Sequence, residues 1–197
     1  MKKIAFYFLL LNLSISIAAC NQSTQDSSNE KDISMPVTEN QPVLKGDPAI
    51  YEFSLKTDSL NTELRLQLAA LYYTAKMFDK ALYHNQVVNK INPSNMAAIF
   101  NLGNIYYDLG ENEKAIDYYE KFLAFDKTNC NVRCDLATCY MRMKNNQKAI
   151  ALLRENVRID EKHPQTQNNL SVILNLEGMT SESQKELDLY NMLTGNK

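Results

Sequence analysis

Thiols and imidazoles are the side chains here with the most chemistry to offer. Cys130, Cys134 and Cys139 crowd into one short stretch, while the two histidines, His84 and His163, lie far from it in the chain. Cys130 and Cys134 are four residues apart, which on a helix puts them on one face, a turn apart. Adjacent turns hold such a pair near the geometric limit of a disulfide, so bridging them would strain the bond. With Cys20 near the N-terminus set aside, three cysteines remain, and an odd number rules out complete pairing among them. Zinc takes about four ligands, and the spacing of these cysteines and histidines gives no metal motif. Free cysteine is commonly a small buried hydrophobe, and that is the preferred reading of all three. Thiol-redox chemistry at Cys130 and Cys134 remains the alternative, and it requires a thiol pKa well below about 8.5. His163 precedes Pro164, which suits the first turn of a helix, so it reads as a loop residue rather than a base. Nucleophile motifs, Gly-rich phosphate loops and paired catalytic carboxylates do not occur in the sequence. The expectation is a protein that is not an enzyme and holds neither cofactor nor metal.

The elements that position these residues follow from a period. Frames that start at Thr62, Met96, Cys130 and Pro164 superimpose at a spacing of 34 residues. The seventh residue of each is Leu68, Leu102, Leu136 and Leu170, and the eighth is small: Ala69, Gly103, Ala137 and Ser171. The eleventh is Tyr72, Tyr106, Tyr140 and Leu174, and the twentieth is Ala81, Ala115, Ala149 and Ser183. Positions seven and eleven lie one helical turn apart and make one apolar stripe. The small residues at eight and twenty let two helices approach closely. Gly110 and Gly178 hold the fifteenth place, where a left-handed turn residue costs glycine little. Lys76 and Lys144 stand at that place in the first and third frames, so their turns are expected to need another geometry.

This pattern resembles the tetratricopeptide repeat, a helix-turn-helix unit with Leu, a small residue, Tyr and Ala at these offsets, and Pro93 matches the family's late proline. The resemblance implies an all-α fold, a right-handed α-solenoid of about four helical hairpins, with repeats over 62–95, 96–129, 130–163 and 164–197 of a domain spanning 46–197. Helices are expected near 62–75, 79–91, 96–109, 113–126, 130–143, 147–159, 164–177 and 181–193, with Thr62 and Asn95 as candidate N-caps. The stretch from Pro48 to Lys56 reads either as the second helix of a degenerate leading repeat or as an extended segment. Its tail, Asp58-Ser59-Leu60-Asn61, resembles Asn92-Pro93-Ser94-Asn95. The last helix carries Leu187, Leu189, Tyr190, Met192 and Leu193, more apolar residues than one packing face needs, so self-association through that edge is a further expectation.

In the repeat family the first helix of each unit lines a concave face. Carried over position by position, that face takes Tyr73, Phe100, Asn104, Tyr107, Cys134, Met141, Asn168 and Asn175 as a peptide-binding groove. Among the second, fifth, ninth and twelfth residues of the four frames, from which these are drawn, only Glu63 is charged. Some members of the family clamp a terminal carboxylate with Lys and Asn, and Asn104 matches part of that pattern, but no Lys or Arg occupies these groove positions, so a carboxylate clamp is not expected. The implied partner is a protein or peptide held by aromatic contact area and by amides that pair with its backbone.

The first residues read as a targeting segment. Lys2 and Lys3 precede an apolar run over 4–17 that is too short for a comfortable membrane span. The run closes on Ile17-Ala18-Ala19-Cys20, which resembles the lipobox of bacterial lipoproteins. The resemblance implies a signal peptide over 1–19, a diacylglyceryl thioether on Cys20 and an acylated (typically palmitoylated) amine, and more than one acyl chain gives a durable anchor. In the lipoproteins this resembles, Asp after the cysteine retains the protein at the inner membrane, so Asn21 implies an outer-membrane, periplasm-facing lipoprotein of the cell envelope. Residues 20–45 are polar and carry Pro36 and Pro42, the composition of a flexible tether. Its random-coil span is roughly 25–30 Å. The full chain carries a net charge of -2, and loss of Lys2 and Lys3 leaves 19 basic against 23 acidic residues, or -4. Such a chain is a poor match for nucleic acid. The function that these features imply is a membrane-anchored adaptor or assembly factor that binds a polypeptide in its groove.

Overall fold

The computed structural model describes residues 46–195. The expected signal peptide, the lipidation site Cys20 and the tether over 20–45 lie outside the described residues. Nine α-helices and no strands make up the described residues: α1 Pro48–Thr57, α2 Thr62–Thr74, α3 Phe78–Ile91, α4 Met96–Asp108, α5 Asn112–Phe125, α6 Cys130–Arg142, α7 Asn146–Ile159, α8 Pro164–Leu176 and α9 Thr180–Thr194. From α2 onward they form four antiparallel hairpins, one for each frame of the period. The fold is an all-α helical-repeat solenoid. No helix among the described residues is long and apolar enough to cross a membrane.

The repeating residues do the packing that their types suggest. Leu68, Leu102, Leu136 and Leu170 are buried, as are the small residues at the eighth and twentieth places. Gly103 shows why the eighth place is small: a Cβ built there would come within 2.7 Å of the Tyr119 ring. Ser183 buries its hydroxyl by donating to the Ser171 carbonyl at 2.8 Å, so a pair of serines replaces the Ala contacts in the last repeat.

The first helix of every repeat opens on a side-chain cap at the same phase. Asn61, Asn95, Asn129 and His163 accept from the backbone N–H three residues on, at 3.0, 2.9, 3.1 and 3.3 Å. Each cap satisfies one of the four amides that a helix start leaves unpaired. Asn95 is a cap as expected. The other expected cap, Thr62, is instead the first helical residue, because the Asn61 amide already meets the Leu64 N–H.

The turns inside the hairpins are alike, and that corrects the expectation for the lysines. Lys76 and Lys144 adopt φ of 56° and 59°, in the same left-handed region as Gly110 and Gly178 at 76°. In each turn the next residue's N–H bonds back to the eleventh-place carbonyl: Met77 to Tyr72, Glu111 to Tyr106, Asn145 to Tyr140 and Met179 to Leu174, at 2.8 to 2.9 Å. This is the Schellman closure. Its hydrogen bonds hold two lysines in a conformation that costs a non-glycine residue roughly 1–2 kcal/mol.

The segment at 48–56 is helical rather than extended. Asp47 caps α1 through the Ala49 N–H at 2.9 Å, and Pro48 occupies its first turn. Leu55 joins Leu68, Tyr72 and Ala81 in one buried cluster. A polar seam shows the register of α1. Tyr72 donates to Glu52, Gln86 donates to the Tyr106 hydroxyl at 3.2 Å, and Tyr140 donates to Glu120 at 3.0 Å. Glu52, Gln86 and Glu120 recur with the period of the repeat, so α1 takes the place of a second helix in a leading half-repeat. Lys80, Lys114 and Lys148 rest over the same three tyrosine rings, 4.2 to 5.1 Å from their centroids.

Candidate functional site

The candidate site lies on the face made by the first helices α2, α4, α6 and α8. Side chains at the twelfth place reach the thirteenth place of the next repeat: Tyr73 donates to the Asp108 carboxylate at 2.5 Å, and Arg142 stacks 3.6 Å from the Tyr107 ring centroid. Arg142 also donates to the Tyr107 carbonyl at 2.9 Å. These bridges tie α2 to α4 and α4 to α6 along the face.

Three of the residues expected in a groove cluster in its second repeat. Phe100 is half-buried, with its ring centroid 5.7 Å from that of Phe122 and 6.5 Å from that of Tyr119. Asn104 accepts from the Tyr119 hydroxyl at 2.8 Å, which fixes the orientation of its amide. Tyr107 is half-buried under Arg142, and its hydroxyl is buried with no hydrogen-bond partner. Burial pushes that phenol up to about 12. Tyr73 is half-buried, and desolvation with the Asp108 hydrogen bond raises its phenol as well. Farther along, Asn168 is half-buried and Asn175 is exposed.

Cys134 does not line an accessible groove. It is 0% exposed, with its sulfur 3.4 Å from Thr166 Oγ1 and 3.3 Å from Asn156 Nδ2. Asn156, also buried, receives a hydrogen bond from Arg133 at 2.9 Å and donates to the Cys130 carbonyl at 2.8 Å. The sulfur therefore belongs to a polar knot between α6, α7 and α8. Met141 is also buried, at 8% exposure, and offers only an edge to the face.

The same burial bears on thiol chemistry. Cys130, Cys134 and Cys139 are free and buried. Burial pushes the Cys134 and Cys139 thiols up to about 12 and raises Cys130 too. A reactive thiolate needs the opposite shift, so the burial of these cysteines speaks against the redox alternative. His163 is the α8 cap, with Nε2 2.8 Å from Asn131 Oδ1, and burial lowers its pKa. Among the described residues no three of His, Cys, Asp and Glu lie close enough together to hold a metal ion.

One residue of the face escaped the sequence reading. Asp135 stands at the sixth place of its repeat, beside the positions carried over from the family, and it is half-buried. Desolvation alone pushes its carboxyl up to about 7, since no hydrogen bond or ion pair offsets it. The signal was present: position six is three residues before position nine, so both share a helix face.

Comparison with known proteins supports the same architecture. The family description "Tetratricopeptide repeat protein 21 forth ARM domain" matches residues 99–194, just under half of the chain. Anaphase-promoting complex subunit CDC16 of Saccharomyces cerevisiae is 31% identical over 98 residues. That match covers 46% of this chain and 12% of the yeast protein, so the chain spans about an eighth of that relative. Among solved structures, the crystal structure of MamA superimposes with a TM-score of 0.71 at 19% identity, over 77% of this chain and 89% of that one. YrrB, described as a TPR protein with an unusual peptide-binding site, gives a TM-score of 0.63 at 18% identity, over 75% of this chain and 76% of its own. At such identities the likeness is one of fold.

Proposed function

We propose that this helical-repeat chain is a tetratricopeptide-type lipoprotein of a bacterial envelope. In this reading it is acylated at Cys20 and held at the outer membrane, and it binds a polypeptide on its first-helix face as an adaptor or assembly factor. The observation that carries the binding reading is the line of partly accessible aromatic rings, Tyr73, Phe100 and Tyr107, set on rigid helices beside the fixed amide of Asn104. Rigid aromatic area with few polar groups is the usual make-up of an interface anchor. YrrB, with its peptide-binding site, supports this use of the fold. The anchor reading rests on the Ile-Ala-Ala-Cys sequence before a polar spacer.

The test is crosslinking and pull-down of the full chain from intact membranes. The parent should capture a polypeptide that the Tyr107→Ala variant loses. In parallel, Cys20→Ala should abolish acylation and lipoprotein-type cleavage. Processing of that variant at the same bond would end the lipoprotein reading.

Self-association is a second reading with its own observation. Ile50 and Phe53 of α1 are 64% and 68% exposed, and Met192 of α9 is 72% exposed, so both edges of the solenoid present apolar side chains. Head-to-tail contact of unlike edges gives open assemblies, which sedimentation would detect as a mass that rises with concentration.

A further inference from the structure

Asp135 does nothing for the fold. At the sixth place the other repeats carry Gln67, Asn101 and Asn169, each neutral and each hydrogen-bonded to Glu63, Asn85 or Gln165. Asp135 is the acid of the set, and it has neither hydrogen bond nor ion pair among the described residues. Three rings from three other helices lie within reach of its charge: Tyr73 of α2, Tyr107 of α4 and Tyr119 of α5. The cation on the same helix, Arg142, is already stacked on Tyr107 and bonded to its carbonyl. A half-buried carboxylate on a first helix, near three phenols and without hydrogen bond or ion pair, lacks a positive partner.

We propose that Asp135 and the tyrosines around it form a receptor for one basic side chain, lysine or arginine, of the bound polypeptide. The cationic head pairs with the carboxylate, and the alkyl stem lies across the aromatic wall. Tyrosine faces attract a cation directly, and long basic side chains cover apolar surface with their stems while the head seeks a charge. The sixth place is neutral in the other repeats, and the nearby Asp108 carboxylate is already engaged by Tyr73, so the unpartnered charge sits at one point and the receptor reads one basic residue rather than a basic tract. This inference rests on the polypeptide-binding reading above and adds the chemistry of the occupant.

The titratable groups about Asp135 are Tyr73, Tyr107, Tyr119, Cys134 and Cys139, with the Asp108 carboxylate bonded to Tyr73 and Arg142 stacked on Tyr107. Burial shifts these phenols and thiols upward, so they stay neutral through the acid range. A loss of affinity as the pH falls from 8 to 5.5 therefore reports the carboxylate.

The experiment is selection from a random nonapeptide library against the full-length chain in detergent micelles, run with the parent and with Asp135→Asn. Peptides selected by the parent should share one lysine or arginine position, and the Asn variant should lose that preference. A selected lysine peptide should bind the Asn variant about thirtyfold more weakly or worse, in keeping with truncating one side of a desolvated charge pair. The norleucine version of that peptide should bind parent and variant alike. Circular dichroism and melting should show the Asn variant at least as stable as the parent. Selected peptides without a basic position, or equal binding of the lysine peptide by both proteins, overturn this inference and leave the polypeptide groove standing. Failure to select any peptide, or selection that survives Tyr107→Ala, overturns the groove and this inference with it.

Discussion

At the scale of single residues, the face carries its features in the order of their burial. Cys134 reads as a groove residue by position, yet its partners Asn156 and Thr166 come from α7 and α8 and seal it away. Contacts of that kind are set by how two repeats seat, which a single frame does not encode. Asp135 is the reverse case: a charge that the frame leaves beside the groove and that the fold keeps half-buried without a partner. An acid whose folded pKa is raised binds more protons in the folded state than in the unfolded state between the two pKa values, so stability falls as pH rises through that window. For Asp135 the window runs from about 4 for the unfolded chain to about 7 in the fold. Asp135→Asn should therefore stabilise the protein by about 1–2 kcal/mol at pH 8, after allowance for partial solvent screening, and by little near pH 4. Urea unfolding at both pH values checks this. A gap between the variants that does not widen with pH would remove the carboxylate's cost.

At the scale of elements, the helix positions were legible because Leu, a small residue, Tyr and Ala recur at fixed offsets and each has one packing job. The hairpin turns were legible only where glycine marks them. Lysine at the same place gave the wrong expectation, because residue preference weighs less than the two backbone bonds that close each turn. Lys76→Gly and Lys144→Gly should each relieve left-handed strain and raise stability by about 1 kcal/mol. Gly110→Ala should lower it by a similar amount, since nothing surrounds that site and only its φ of 76° opposes the methyl group. Thermal unfolding of the three variants separates these signs. Gly103→Ala is a different test. Its methyl group would meet Tyr119 at 2.7 Å, so α4 and α5 must part, at a cost of about 1–3 kcal/mol. A neutral result there would mean that the Tyr119 ring moves freely, which its hydrogen bond to Asn104 argues against.

For the whole molecule, stability is a sum of repeat terms and seam terms. The α1 helix is held by one seam alone, through Leu55 and the Glu52–Tyr72 pair. Glu52→Ala with Leu55→Ala should release it, at a cost of about 2–4 kcal/mol dominated by the buried leucine. Hydrogen exchange should then rise in α1 and α2 before it rises in α6 and α7. Uniform exchange along the chain would show that the solenoid unfolds as one block.

The seams also bear on how such a chain lengthens. Glu120, Tyr140 and Lys148 meet as Glu52, Tyr72 and Lys80 do, with Gln86 and Lys114 repeating the theme around Tyr106. The first three junctions accept the same plug, while the last sets Leu174 in the tyrosine's place and pairs Arg154 with Glu182 at 2.9 Å. A tandem duplication of the segment 96–129 would present its own cap, turn and lysine to the neighbours it meets, and no junction would need to be reinvented. The binding face could thus grow or shrink by whole units through copying errors, while a gain or loss of any other length would break the phase of every unit that follows.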